Sequence, residues 1–163
     1  MIALRPLATA DLEAVTALEF DAQPLPWSED QLLLELVHDD ARVFGLLDDG
    51  TLLGYIAVRR MVEEAWVLNL AVGARHRRAG LGRRLLDAAQ QVAREWRCGA
   101  LWLEVREGNA PARALYQRAG LTERGRRPGY YPPIPPASAR ETAVLMAIEL
   151  DPSSAMGRGP SRT

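Results

Sequence analysis

Six residues, Arg77-Arg78-Ala79-Gly80-Leu81-Gly82, join an apolar strand-like run to an amphipathic helix, and this junction restricts the fold more than any other part of the chain. Upstream, Trp66-Val67-Leu68-Asn69-Leu70-Ala71-Val72 is short, apolar and partly β-branched, as expected of a buried strand. Downstream, Leu81, Leu85, Ala88, Ala89, Val92 and Trp96 recur at helical spacing, and Gly99, following Arg94 and Arg97, is the expected stop. Glycine at 80 and 82 removes side chains that would hold an anion off the backbone, so N–H groups at the helix start can point at it. The helix dipole and Arg75, Arg77, Arg78, Arg83 and Arg84 then favour negative charge. A mobile loop with solvated arginines is the competing reading. Against a formal net charge of only −1, however, the local excess suggests a polyanionic ligand more than general basicity.

With 163 residues, 48% of them hydrophobic, the chain can build one full core but not two ordinary ones, so residues 1–150 are expected to form a single domain. From Asp151 onward there is no apolar pattern, and 151–163 is expected to be a disordered tail. No apolar run approaches the roughly 18 residues of a membrane span, and Met1-Ile2-Ala3-Leu4-Arg5-Pro6 lacks a signal peptide's apolar region, which leads us to expect a cytoplasmic protein. Cys98 is single, and His38 and His76 are far apart, so neither a metal site nor a Ser-His-Asp triad is expected. All 20 basic residues are arginine. A Schiff-base lysine and the lysine of a Walker loop are therefore excluded.

Leu12 to Phe20 and Ser28 to Val37 read as helices, the second with Ser28 as N-cap and Gln31 closing a capping box. Val43 to Leu47 and Thr51 to Arg59 are strand-like, separated by the hairpin signal Asp48-Asp49-Gly50. Leu101 to Arg106 and Ala143 to Glu149 add strands, and a short helix opens at Asn109, with Pro111 in its first turn and Gly120 after its end. Alternation along Leu101-Trp102-Leu103-Glu104-Val105-Arg106 puts Trp102, Glu104 and Arg106 on one face. A carboxyl beside apolar surface is a candidate general base near neutrality, and an ion pair between Glu104 and Arg106 is the structural alternative. Tyr116, with Ala112, Leu115 and Ala119, lies on a core-like helical stripe. An ordinary tyrosine, pKa near ~10, can also protonate a leaving thiolate of pKa near ~8.5. A dinucleotide-binding half is set aside. Leu85 stands where its third glycine belongs, and Gly73 to Ala79 separate strand from turn.

On these residues the chain resembles the GCN5-related N-acetyltransferase superfamily, whose acetyl-CoA signature, Gln/Arg-x-x-Gly-x-Gly/Ala, is met by Arg77 to Gly82. Within it, the chain is most similar to the bacterial ribosomal-protein-alanine N-acetyltransferase (RimI) family. That likeness rests on Leu68 to Val72, Leu101 to Arg106, Asn109 with Ala114-Leu115-Tyr116, Gly125-Arg126-Arg127 with Tyr130-Tyr131-Pro132, and Leu25-Pro26-Trp27-Ser28. The resemblance implies an α/β fold with a mixed central sheet, one splayed strand pair and flanking helices. It implies Glu104 as general base and Tyr116 as general acid, with the backbone of Leu70, Ala71 and Val72 pairing with the pantetheine arm of acetyl-CoA. Arg78, Ala79, Gly80, Leu81, Gly82 and Arg83 would hold the pyrophosphate, and Asn109 would contact the cofactor. Trp27, Tyr130 and Tyr131, with the proline-rich stretch Pro132 to Pro136, suit a peptide groove.

The implied acceptor is the alanine N-terminus of small-subunit ribosomal protein eighteen. An α-amine, with a pKa near ~7.7–8.0 against ~10.4 for lysine, is the easier group for a glutamate to deprotonate. Transfer to a small-molecule amine or to other protein N-termini is the enzymatic alternative. An RNA-binding module is disfavoured because no aromatics interleave the arginines.

Overall fold

The computed structural model describes residues 1–151. In chain order it comprises β1 (Ile2–Pro6), α1 (Leu12–Ala22), α2 (Glu29–Val37), β2 (Ala41–Asp48), β3 (Thr51–Met61), β4 (Glu64–Val72), α3 (Leu81–Glu95), β5 (Ala100–Arg106), α4 (Ala110–Arg118), β6 (Thr122–Tyr131) and β7 (Glu141–Glu149). The strands form one mixed sheet in the order β1-β2-β3-β4-β5-β7-β6. Only β4 and β5 run parallel; all other neighbours are antiparallel. Apart from Asp151, the tail expected over 151–163 lies outside the described residues.

Two cores sandwich the sheet. On one face, Leu81, Leu85, Leu86, Ala89 and Val92 of α3 and Tyr116 of α4 pack on Ile56, Val58, Val67, Leu101 and Leu103. On the other, Val15 and Leu18 of α1 and Leu32 of α2 pack on Val43, Tyr55 and Ala57. Leu85 and Leu86 are both fully buried, and each such leucine removed from water is worth about 1.5–3 kcal/mol. That burial seats α3 on the sheet, and with it the arginine-glycine turn.

Local signals explain several element ends. Asp49 and Gly50 both take positive φ, 48° and 82°, the pattern of a tight hairpin whose twist matches its strands. The Ser28–Gln31 capping box forms in both directions, with Ser28 N–H donating to Gln31 Oε1 at 2.8 Å and Gln31 N–H to Ser28 Oγ at 3.2 Å. Asn109 caps α4, accepting from Ala112 N–H at 3.3 Å.

One expectation needs correction, and two strands went unread. Helix α3 does not stop on Gly99: Arg97 adopts the left-handed conformation at φ 60°, and Cys98 N–H closes on Ala93 O at 3.0 Å. Gly99 is already tied to the end of the sheet, donating to Glu63 O in the β3–β4 turn and accepting from Leu150 N–H just after β7, both at 2.9 Å. The two edge strands, β1 and β6, were not expected. β6 has almost no buried side chain, so its sequence Thr-Glu-Arg-Gly-Arg-Arg-Pro-Gly-Tyr-Tyr carries no apolar alternation to find.

Candidate active site

The continuous apolar run at Trp66 to Val72 has a geometric cause. Strand β4 pairs with β3 at Val67↔Val58 and resumes at Asn69↔Ala57, which leaves Leu68 as an extra residue, a β-bulge. Before the bulge, Ala65 and Val67 face α3; after it, Leu70 and Val72 do. Asn69 and Ala71 consequently turn toward α1. Alternation is inverted mid-strand, so both faces read as apolar.

The same bulge opens the sheet. Parallel pairing of β4 with β5 ends at Val67↔Leu103, one residue before Leu68. β5 stays with β7 as far as Arg106↔Ala143, while β4 stays with β3 as far as Val72↔Gly54. The two strands therefore part, and the Leu68–Val72 edge is left without β5 as a partner. This is the splayed pair the resemblance implied. A cleft of about 620 Å³ fills the gap, walled by Leu70 on one side and Glu104 on the other, with Tyr116, Asn109, Trp27, Tyr130 and Tyr131 around it.

Glu104 does not pair with Arg106. Its Oε1 lies 3.1 Å from Arg127 Nη1 on β6, and its side chain is 18% exposed. Arg106 is held elsewhere: it meets Glu141 Oε1 at 3.2 Å, donates to Pro132 O at 2.9 Å and lies 4.6 Å over the Tyr131 ring. Arg127 carried part of the family likeness, but its pairing with Glu104 went unread because β6 did. Glu104 Oε2 has no protein partner among the described residues and is free to accept.

Tyr116 is 8% exposed, and burial pushes its hydroxyl up to about 12. It keeps its proton throughout the neutral range. Tyr130 and Tyr131 meet edge to face, 5.1 Å between ring centroids, and burial first, then the charge of Glu104, raises Tyr131 above the ordinary tyrosine value. Asn109 lines the cleft while serving as helix cap, so its two expected positions coincide.

The arginine-glycine turn lies beyond the far end of the β4 edge, and neither Arg78 to Arg83 nor Ala71 and Val72 line the cleft itself. Gly80 is the N-cap of α3, in the left-handed conformation at φ 76°, and makes no side-chain cap; no acidic residue sits in the first turn. The free N–H groups and dipole of this helix end suit an anion. The five arginines divide. Arg77 is tied to Ala22 O at 2.8 Å, Arg83 to Asp87 Oδ1 at 2.9 Å and Arg84 to Ile2 O at 3.4 Å. Arg75 and Arg78 have no hydrogen bond or ion pair among the described residues.

One polar cluster beside the cleft went unrecognised in the sequence. Glu19 of α1, 1% exposed, accepts from the Tyr55 hydroxyl at 2.8 Å, Asn69 Nδ2 at 2.9 Å and Trp27 N–H at 2.9 Å. The available signal was a glutamate directly after Leu18 and four residues beyond Val15, on the buried side of the helix.

Known proteins carry the same architecture. Residues 11–121 match the model of the Acetyltransferase (GNAT) family. The [ribosomal protein bS18]-alanine N-acetyltransferase of Escherichia coli (strain K12) is 34% identical over 144 residues, covering 88% of this chain and 95% of its own. The enzyme of the same name from Haemophilus influenzae is 32% identical over 146 residues, covering 88% and 96%. The crystal structure of the Escherichia coli ribosomal-protein-S18-alanine N-acetyltransferase superposes with a TM-score of 0.85 at 31% identity, covering 100% of this chain and 99% of the other. Arabidopsis thaliana NAA60 in complex with acetyl-CoA shares the fold, with a TM-score of 0.81 at 18% identity over 92% of this chain and 99% of its own. A sheet parted at the Leu68 bulge, an uncapped glycine-led helix at the end of the parted strand, and these end-to-end likenesses establish that the chain belongs to the GNAT family of acetyltransferases.

Proposed function

We propose that this protein transfers the acetyl group of acetyl-CoA to the α-amine of an N-terminal alanine, that of small-subunit ribosomal protein bS18. Two relatives that align over 88% of the chain carry that activity in their names, and this supports the acceptor. The observation that carries the chemistry is the placement of Glu104 and Tyr116 around one cleft at the point where β4 and β5 separate.

Acetyl-CoA is the family's co-substrate, and the residues present fit it. Arg78, Ala79, Gly80, Leu81, Gly82 and Arg83 cradle its pyrophosphate at the uncapped start of α3, with Arg78 uncommitted to any other group. The Leu70, Ala71 and Val72 backbone, which β5 has released, pairs with the pantetheine arm, and an N–H there polarises the thioester carbonyl. Asn109 closes the site from the start of α4. Glu104, directly or through a water, takes a proton from the acceptor ammonium. The amine attacks the carbonyl carbon, the C–S bond breaks, Tyr116 gives its proton to the departing thiolate, and the new amide nitrogen releases its second proton to solvent, from which the tyrosinate is reprotonated. Trp27, Tyr130 and Tyr131 flank the approach of the polypeptide, and half-exposed aromatics beside a proline-rich loop suit an extended peptide better than a small amine.

Residues 1–150 form the acetyltransferase domain in this reading, with 151–163 as its tail, and the enzyme works in the cytoplasm on a ribosomal protein rather than on nucleic acid. Among the described residues no helix is long and apolar enough to cross a membrane. Purified protein, acetyl-CoA and peptides differing only in the first residue provide the test, read by mass. Acetylation of the alanine peptide ahead of the others is the expected result; turnover of small amines with none of any peptide would overturn the assignment.

A further inference from the structure

The Glu19 cluster has a direction. Both oxygens of the carboxylate accept, Oε1 from the Tyr55 hydroxyl and Oε2 from Trp27 N–H and Asn69 Nδ2. A carboxylate accepts and does not donate. Asn69 must therefore present its NH₂ group to Glu19, which turns its Oδ1 the other way, where it accepts from Gln23 Nε2 at 3.1 Å. Gln23 must in turn donate, and its NH₂ group also reaches Leu70 O at 3.4 Å, on the parted edge of β4. With both amide hydrogens committed, Gln23 Oε1 is left without a protein partner among the described residues. Gln23 lines the cleft beside Leu70.

We propose that Glu19, acting through Asn69, fixes the Gln23 amide so that its oxygen accepts a hydrogen bond from an N–H of the acceptor's terminal residue. Gln23 is then an acceptor-binding residue and Glu19 a positioning residue. The inference rests on the reading of the acceptor as a polypeptide N-terminus. An unconstrained amide could flip and set its NH₂ against the incoming amine, donor against donor; a carboxylate two groups away forbids the flip. Glu19 also holds Trp27 N–H and so anchors the chain segment that flanks the acceptor side. A buried carboxylate serving only the core would be satisfied by its three donors and would not require the chain of bonds to continue through Asn69 to a cleft side chain.

Steady-state acetylation of an alanine-starting peptide by the full-length protein tests this. Gln23→Met keeps side-chain length and removes the oxygen. It should raise the peptide KM about tenfold, the equivalent of one hydrogen bond, while the acetyl-CoA KM stays within about twofold. Glu19→Met should raise the peptide KM at least as much without touching the acceptor, since it also frees Trp27 N–H, and adding Gln23→Met to it should raise the KM by clearly less than Gln23→Met does in the wild-type background, because the two share one bond. Glu19→Gln should restore the peptide KM at a cost in stability: its amide oxygen can face Asn69 and Trp27, preserving the direction of the relay, while its NH₂ faces the Tyr55 hydroxyl, which already accepts from Asn69 and loses the acceptor of its own proton. If Glu19→Met does not fold, the partly exposed Gln23→Met decides alone. Additive single effects, a Gln23→Met variant with wild-type peptide KM, or equal rises in both KM values would overturn the relay. A wild-type protein inert toward every peptide would instead overturn the acceptor assignment on which it rests.

Discussion

Tyr116→Phe separates the packing of this residue from its chemistry. The ring lies in the core among Leu85, Leu103 and Val105, and Phe retains it. The hydroxyl is not a buried atom lacking a partner, so its loss strands nothing inside the protein. Stability should move by no more than about 0.5 kcal/mol. The chemical step should change far more. General acids contribute roughly 10²- to 10⁴-fold, and a thiolate with pKa near ~8.5 is a tolerable leaving group even unprotonated, which places the loss near the lower end, about 10²-fold or ~2.7 kcal/mol. Because burial pushes the hydroxyl up to about 12, the wild-type rate should show no alkaline decline from this group at the pH of ordinary tyrosine ionisation. Single-turnover acetylation of an alanine-starting peptide, with thermal unfolding and acetyl-CoA calorimetry as controls, measures all three quantities. A Phe variant as fast as wild type would return Tyr116 to the core.

Glu104→Gln should cut turnover by about 100-fold or more with acetyl-CoA affinity nearly intact, since shape is kept and only the proton acceptor is lost; a wild-type rate across the pH range would make Glu104 a structural partner of Arg127. Gly82→Val should weaken acetyl-CoA binding at least about tenfold, and calorimetry on a folded variant reads it. A Cβ there already stands 3.0 Å from Leu115 Cδ2, so a Tm shift is expected too, and a folded Val variant with unchanged affinity would refute the phosphate site. Burial, chiefly, raises the Tyr55, Tyr116 and Tyr131 hydroxyls in the folded state, so the stability they confer is complete below the unfolded value and lost above it. Chemical denaturation should therefore show falling stability above about pH 10 and none of this loss between about pH 7 and 9.

What could be read from the chain divides along physical lines. The strand, turn and helix around Gly80, the Asp49-Gly50 hairpin, the Ser28 capping box and the Asn109 cap are written in short-range chemistry, and each stands in the structure where its residues put it. Strand β6 was hidden because an edge strand with both faces wet has no periodicity; with it went the pairing of Arg127 with Glu104. The Leu68 bulge is invisible for a related reason, since register belongs to a pair of strands and not to one. Glu19, Tyr55 and Asn69 are separated by 36 and 14 residues along the chain, and nothing local marks three polar groups as neighbours. Glu104 and Tyr116 drew notice because each sits in a recognisable local setting, a strand and a capped helix, but the roles proposed for them came from the family resemblance.

Acetyl transfer to an α-amine leaves its mark on a single nitrogen of the acceptor. The direct measurement offers the protein acetyl-CoA with three versions of one alanine-starting, lysine-containing peptide: free, blocked at the N-terminus, and with the lysine replaced. Fragmentation then locates the acetyl group. One acetyl on the alanine nitrogen of the free and lysine-replaced peptides, with the blocked peptide untouched, is the result predicted; acetylation of the lysine, or of the blocked peptide, would contradict it.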